Sequence, residues 1–155
     1  MVHSRRNAIV KIVGLGTAAL ASVAAPLRAI AAPTHATLYK DPQCGCCEGY
    51  AAYLRENGFE VEVKPTNDLA EISRKAGVPE ELQGCHTTLI DGYVVDGHVP
   101  VKVVRRLLSE RPAIAGITLP GMPTGSPGMT GEKTAPFKIY AVSKDGKPPK
   151  IYAIV

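Results

Sequence analysis

Tryptophan is absent from this 155-residue sequence and aromatic side chains are few. Other absences bear more directly on function. There is no Ser/His/Asp pattern, no phosphate-cradling glycine loop and no carboxylate pair at a spacing suited to acid–base work, so the common hydrolytic and phosphoryl-transfer chemistries have no carriers. The one extended apolar run, residues 12–26, is too short and too rich in Ala and Gly to span a bilayer as a helix. A basic excess is missing as well, once the N-terminus is set aside. The formal charge of +4 rests on Arg5, Arg6, Lys11 and Arg28, which account for four of the 18 Lys and Arg; the 14 that remain face 14 acidic residues. That balance gives no reason to expect nucleic acid or anionic lipid as a partner.

The N-terminus is set aside because it reads as a secretory signal. MVHSRRNAIVK is a basic leader, residues 12–26 are its apolar centre, and Ala29-Ile30-Ala31 fits an A-x-A cleavage pattern, with the cut expected after Ala31. Ser4-Arg5-Arg6 followed by Lys11 resembles a twin-arginine export signal, which carries folded proteins; the Sec route stays open beside it. A periplasmic destination is expected, with no membrane span after signal removal. His35 would lie close to the mature N-terminus and reads most simply as an end residue.

Four cysteines in an exported chain ordinarily mean two structural disulfides. Here that reading is strained, because three of them crowd into CGCC: Cys44, Cys46 and Cys47. The neighbours Cys46 and Cys47 are poorly placed to pair with each other, and only Cys85 lies elsewhere. Cys44 and Cys47 have the spacing of a redox dithiol, but such a dithiol has no need of Cys46.

Periodicity and turn residues predict the order of elements. A strand over 36–40 turns at Asp41-Pro42 into a helix that begins at 44–47, is apolar through Tyr50, Ala51, Tyr53 and Leu54, and stops at Asn57-Gly58. FEVEVKPT alternates as a strand, and Asn67 or Asp68 caps a helix over 69–76. Two strands joined at Asp91-Gly92 form a hairpin, and a third helix starts at Pro100 and is stopped by Pro112. A Gly/Pro/Met-rich segment follows, GITLPGMPTGSPGMTG, and then two short strand-like runs, FKIYAVS and KIYAIV. The expected order is thus β-α-β-α-β-β-α over 36–112, with an extension over 113–155 made of a loop and a β-hairpin.

If the third strand runs antiparallel to the first, Cys85 and His86 begin at the sheet edge where Cys44, Cys46 and Cys47 stand, and the hairpin returns His98 to the same edge. Cysteines at a helix N-terminus favour the thiolate. Two suffice for disulfide exchange; four with imidazoles nearby suit Cu(I), Zn(II) or an iron–sulfur cluster, with the third thiol as a ligand, and a bridging role open to it. Met122 and Met129 lie in a segment without helical or strand period, and thioether is a good ligand for Cu(I) and a poor one for Zn(II). Tyr50, Tyr53 and Tyr93 read most simply as packing residues.

LYKDPQCGCC, GCHTTLIDGYVVDGHVP and GMPTGSPGM, in that order, resemble the CopG-type copper-resistance family, exported thioredoxin-like proteins with a C-x-C-C motif long catalogued as a domain of unknown function. The resemblance runs from about Thr37 to the C-terminal strands. It implies an α/β thioredoxin-like fold whose C-terminal extension helps bind metal, a cysteine-bridged copper site with more than one ion, and a role in interconverting or sequestering Cu(I) and Cu(II). By motif, Cys44, Cys46, Cys47 and Cys85 become the bridging thiolates, and His86, His98, Met122 and Met129 terminal ligands. Where ordinary thioredoxins carry a cis-proline opposite the dithiol, this chain has His86. Copper ions are the expected partners, with copper efflux or chaperone proteins beyond them, and the chain is expected to be monomeric. Two rivals differ in what they require. A thiol–disulfide oxidoreductase would use Cys44 and Cys47 without metal; a structural zinc site would hold one closed, redox-silent tetrahedron.

Overall fold

The computed structural model describes residues 32–155, so the signal and its cleavage site lie outside the described residues. The element order is β1 (Thr34–Lys40), α1 (Gly45–Glu56), β2 (Phe59–Pro65), α2 (Leu69–Lys75), a 3-10 turn (Glu80–Leu82), β3 (His86–Ile90), β4 (Tyr93–Asp96), α3 (Val101–Glu110), β5 (Gly116–Thr118), β6 (Lys138–Val142) and β7 (Lys150–Ile154). These strands make one sheet in the order β2-β1-β3-β4-β5-β6-β7.

Local chemistry explains the boundaries. In α1 the buried residues Cys47, Tyr50, Ala51 and Leu54 recur at helical spacing, and Asn57 and Gly58 end it through the bonds Asn57 N–H to Leu54 O and Gly58 N–H to Arg55 O. Pro100 is the cap before α3 rather than its first residue. That helix closes on Arg111 in the left-handed region (φ 48°), directly ahead of Pro112. β5 departs from the sequence-based expectation, which left residues 116–118 in an irregular segment. Three residues are too few to show alternation. Their strand character comes from the neighbours, parallel pairing with β4 (Val95↔Ile117) and antiparallel pairing with β6 (Ile117↔Ala141). Gly116 is required there, since a Cβ would lie 1.8 Å from Val94 O. Through β5 the residues after 113 continue the same sheet instead of hanging from it.

Alternation sorts the two faces. Ala36, Leu38, Thr88, Ile90 and Val95 face α1 and α3, in a main core with Tyr50, Leu54, Val103, Val104 and Leu107. On the opposite face Val94 packs with Val78 and Val142, and Thr87 meets Ser73 of α2. β1 and β2 are parallel; β1 and β3 are antiparallel with Lys40 opposite His86; β3 and β4 are antiparallel with Thr87 opposite Asp96. The end of β1, the start of β3 and the end of β4 therefore share one edge.

Candidate metal centre

That edge carries the cysteines. A turn over 41–44 leads from β1 into α1, closed by Cys44 N–H donating to Asp41 O (3.0 Å) and Gln43 N–H donating to Asp41 Oδ1 (2.8 Å). Lys40, 2 % exposed, braces the turn from beneath: its Nζ donates to Asp41 O (3.0 Å) and Pro42 O (3.3 Å) and lies 3.3 Å from Glu48 Oε1. Cys44 is the N-terminal cap residue of α1, in extended backbone and without a side-chain capping bond.

Cys44 and Cys47 are joined as a disulfide, while Cys46 and Cys85 are free thiols. Cys46 Sγ lies 3.4 Å from Cys44 Sγ and 3.8 Å from Cys85 Sγ; Cys47 Sγ lies 3.5 Å from Cys85 Sγ. All four sulfurs fall within 4.8 Å of one another. A second group shares Cys85: its Sγ is 3.1 Å from His98 Nε2 and 3.6 Å from His86 Nδ1. Cys47, His86 and His98 are buried, whereas Cys44 and Cys46 are half-buried and form the accessible side.

The electrostatics favour neutral imidazoles and a protonated Cys85 in the metal-free state. Burial, then the neighbouring His98, pushes His86 down to about 3. Burial lowers His98 also, against a raising contribution from Pro127. Burial, then the Cys46 sulfur, pushes the Cys85 thiol up to about 12. His86 Nε2 is buried without a hydrogen-bond partner, an orphaned donor–acceptor of the kind a ligand would satisfy. Four sulfurs and two neutral imidazoles form a soft donor set that fits Cu(I) or Zn(II) once the disulfide is reduced.

The two methionines stand on the loop that covers this edge. Met129 is half-buried and directly follows Gly128, whose backbone packs against Gly49 and Tyr50 of α1. Met122 is 43 % exposed, with φ 43°. His35 is exposed, opposite Glu60 on β2.

Three contributors escaped the sequence reading. Lys40 is one, although its phase with Ala36 and Leu38 already assigned it to the buried face. Asp96 is another: fully buried, it accepts from Gly84 N–H (2.5 Å) and Thr87 Oγ1 (2.7 Å), bracketing Cys85 and His86. Burial outweighs these bonds and holds its carboxyl up at about 6. Tyr50 is the third, a core residue that also walls the site. Its ring lies 4.5 Å from that of His86 and 5.4 Å from that of His98, and its hydroxyl donates to Val99 O (2.8 Å).

Comparison with other proteins sets this edge in context. The family described as "Protein of unknown function, DUF411" matches residues 82–129, which hold Cys85, His86, His98 and both loop methionines. Two solved structures, of copper resistance protein CopG in its forms 2 and 1, each superpose with a TM-score of 0.73 at 34% identity. Each alignment covers 79% of this chain and 98% of the other. No curated protein sequence matches. Among the described residues no helix is long and apolar enough to cross a membrane.

Proposed function

The chain belongs to the CopG copper-resistance family, and on that premise we propose that its cysteine–histidine cluster binds copper, more than one ion per chain, and sequesters it or interconverts Cu(I) and Cu(II). One observation carries this reading: two ligand groups, Cys44/Cys46/Cys47/Cys85 and Cys85/His86/His98, share a single sulfur. A thiolate holds two metal ions readily, so the shared Cys85 suits a site with more than one ion. It also answers why Cys46 is present, since its sulfur stands between Cys44 and Cys85.

Each residue has a part. The disulfide must open before Cys44 and Cys47 can act as ligands, so loading requires the reduced chain. Cys85 gives up its proton on loading, and for that reason apparent affinity rises with pH. His86 and His98 are already neutral and release none. Met122 and Met129, on the loop that covers this edge, would complete the set as terminal thioether ligands. Copper, when bound, supplies the one-electron couple. The element order and the position of the cysteine turn support a thioredoxin-like description of 36–112, the leader pattern supports periplasmic export, and the monomeric state and the copper efflux or chaperone partners belong to the same proposal.

The test is metal stoichiometry on the reduced chain, loaded anaerobically with Cu(I) or with Zn(II), alongside Cys46→Ser. More than one copper per chain, held more tightly than zinc and mostly lost in Cys46→Ser, is the expected result. A single ion, equal in the variant, would sink the multinuclear reading. A second reading has its own observation, the Cys44–Cys47 disulfide with Cys85 Sγ at 3.5 Å. It makes the chain a thiol–disulfide oxidoreductase. Metal-free reduction of a protein disulfide, unaffected by loss of Cys46, Met122 or Met129, would favour it.

A further inference from the structure

We infer that the loop over residues 121–131 is a backbone clamp that selects the nitrogen His98 offers to the sulfur cluster, with Gly49 and Gly128 as its positioning residues. The inference rests on the reading of His98 as a copper ligand.

It starts from a hydrogen bond whose direction is forced. His98 Nδ1 lies 2.6 Å from the carbonyl oxygen of Pro127. A carbonyl only accepts, so Nδ1 carries the proton. In a neutral ring Nε2 then holds the lone pair, and it is Nε2 that stands 3.1 Å from Cys85 Sγ. One backbone contact thus leaves the metal-facing nitrogen free to accept and keeps the other from competing. The remaining walls are rigid rings, Tyr50 and His86, each edge-on to His98 at 5.4 and 4.8 Å.

The position of that carbonyl depends on two glycines meeting. Gly128 has φ 79°, and a Cβ on it would sit 2.4 Å from Tyr50 N. Gly49 faces it from α1, where a Cβ would sit 2.9 Å from Gly128 O and 3.2 Å from Gly128 Cα. Gly49 lies inside a helix, where glycine costs about 1 kcal/mol relative to alanine. Helix stability gives no reason for it; the close approach of the loop does. The loop is braced within itself, by Met129 N–H to Ser126 O (2.9 Å), Ser126 Oγ to Pro123 O (2.6 Å) and Gly125 N–H to Thr130 O (3.3 Å). Ser126 is 1 % exposed. A shape built in this way is presented whole to α1, and it needs both glycines to seat.

The experiment uses the full reduced chain, labelled with ¹⁵N-histidine, and reads the His98 tautomer from two-bond ¹H–¹⁵N correlations without metal. In parallel, Cu(I) affinity is measured by competition with a chromophoric Cu(I) chelator for the wild type, Gly49→Ala, Gly128→Ala and His98→Ala. The wild type is expected to show protonation at Nδ1 alone. Gly49→Ala is expected to lose that single tautomer and to bind Cu(I) about 10–100-fold more weakly, the usual effect of losing a partner that orients a ligand. Its unfolding midpoint should move little, since what alanine adds to the helix offsets part of what the unseated loop loses. An Nε2-protonated ring in the wild type overturns the clamp with no variant needed. So does weakening in His98→Ala without weakening in either glycine variant, a pattern that leaves the copper reading intact. Unchanged affinity in His98→Ala removes His98 from the ligand set and takes the clamp with it.

Discussion

The two ends of the central strands differ in what they bury. At the hairpin end, β1, β3 and β4 hold Ala36, Ile90 and Tyr93, and the turn outside them, Asp91-Gly92, is exposed. At the other end the same strands bury Lys40, His86, Thr87 and Asp96, with His98 just beyond. An apolar end gains from leaving water, whereas buried polar groups contribute only when their partners are in place. Each strand changes character along its length, apolar toward the hairpin and polar toward the cysteine turn. Substitutions at one end should move stability and leave metal binding alone, and the converse should hold at the other.

The largest contrast sets Cys85→Ser against Leu38→Ala. Cys85 belongs to both ligand groups, so its loss is expected to weaken Cu(I) binding by on the order of 100-fold or more, beyond what an orienting neighbour is worth. Its side chain is half-buried, and the unfolding midpoint should hardly move. Leu38 is fully buried in the main core, and truncating it should cost about 2–5 kcal/mol. The copper stoichiometry of the folded fraction should stay the same. Chelator competition and urea melts on both variants measure this, and a parallel loss of affinity and stability in both would erase the contrast.

A smaller effect sharpens the polar end by pH. His86 is held down at about 3, from 6.5. Unfolded chains therefore take up a proton there that the folded chain refuses, and stability present above pH 6.5 is lost as pH falls toward 3. Asp96 is held up at about 6, from 3.8. The folded chain keeps a proton that the unfolded chain has released, so this contribution is full below pH 3.8 and is lost as pH rises through 6. The two oppose each other, and the shift at His86 is the larger. Between pH 6 and 3.8 the two slopes, each at most about 1.4 kcal/mol per pH unit, nearly cancel, so metal-free protein should change little in stability there and lose it below pH 3.8, where Asp96 no longer offsets His86. Asp96→Asn keeps an acceptor for Gly84 N–H and should uncover a loss as pH falls from 6.5, while His86→Gln should leave a gain over the same range. Urea midpoints across that range decide, and a profile unchanged in His86→Gln would remove the imidazole from the balance.

Much of this polarity was legible, and the reasons differ by residue. The convergence of Cys44–Cys47, Cys85, His86 and His98 rests on strand direction: Asp91-Gly92 made the β3–β4 hairpin readable, whereas the antiparallel run of β3 against β1 is a matter of tertiary pairing that no local residue announces. Burial of Lys40 was readable too, from alternation, but its identity as a charge concealed the phase. Asp96 sits in the Tyr93–Asp96 strand just before Gly97, where Asp-Gly more often marks a turn, and nothing local reveals two donors arriving from 84 and 87. The grip on His98 was illegible for a plainer reason. It is made by a backbone carbonyl and two glycines, and side-chain chemistry leaves no trace of a contact that depends on missing atoms. β5 was hidden in the same way, as a strand defined by its neighbours.

The smallest expected effect lies at the hairpin end, and it checks that this end is as indifferent to chemistry as its burial implies. Asp91 and Arg111 form an ion pair, each side chain about half exposed, and the Arg111 guanidinium also lies 5.4 Å from the Tyr93 ring centroid. Exposed pairs are screened by solvent and contribute little. Asp91 has φ 48° ahead of Gly92 at 81°, a turn conformation that asparagine adopts at least as readily as aspartate. Asp91→Asn therefore removes the charge while keeping the turn, and is expected to change stability by no more than about 0.5 kcal/mol and copper affinity not at all. A larger stability change would show that the pair, and not the turn residues, holds the hairpin. A change in copper affinity would mean that the two ends are coupled through β3 and β4, and the separation of stability from chemistry along these strands would then fail.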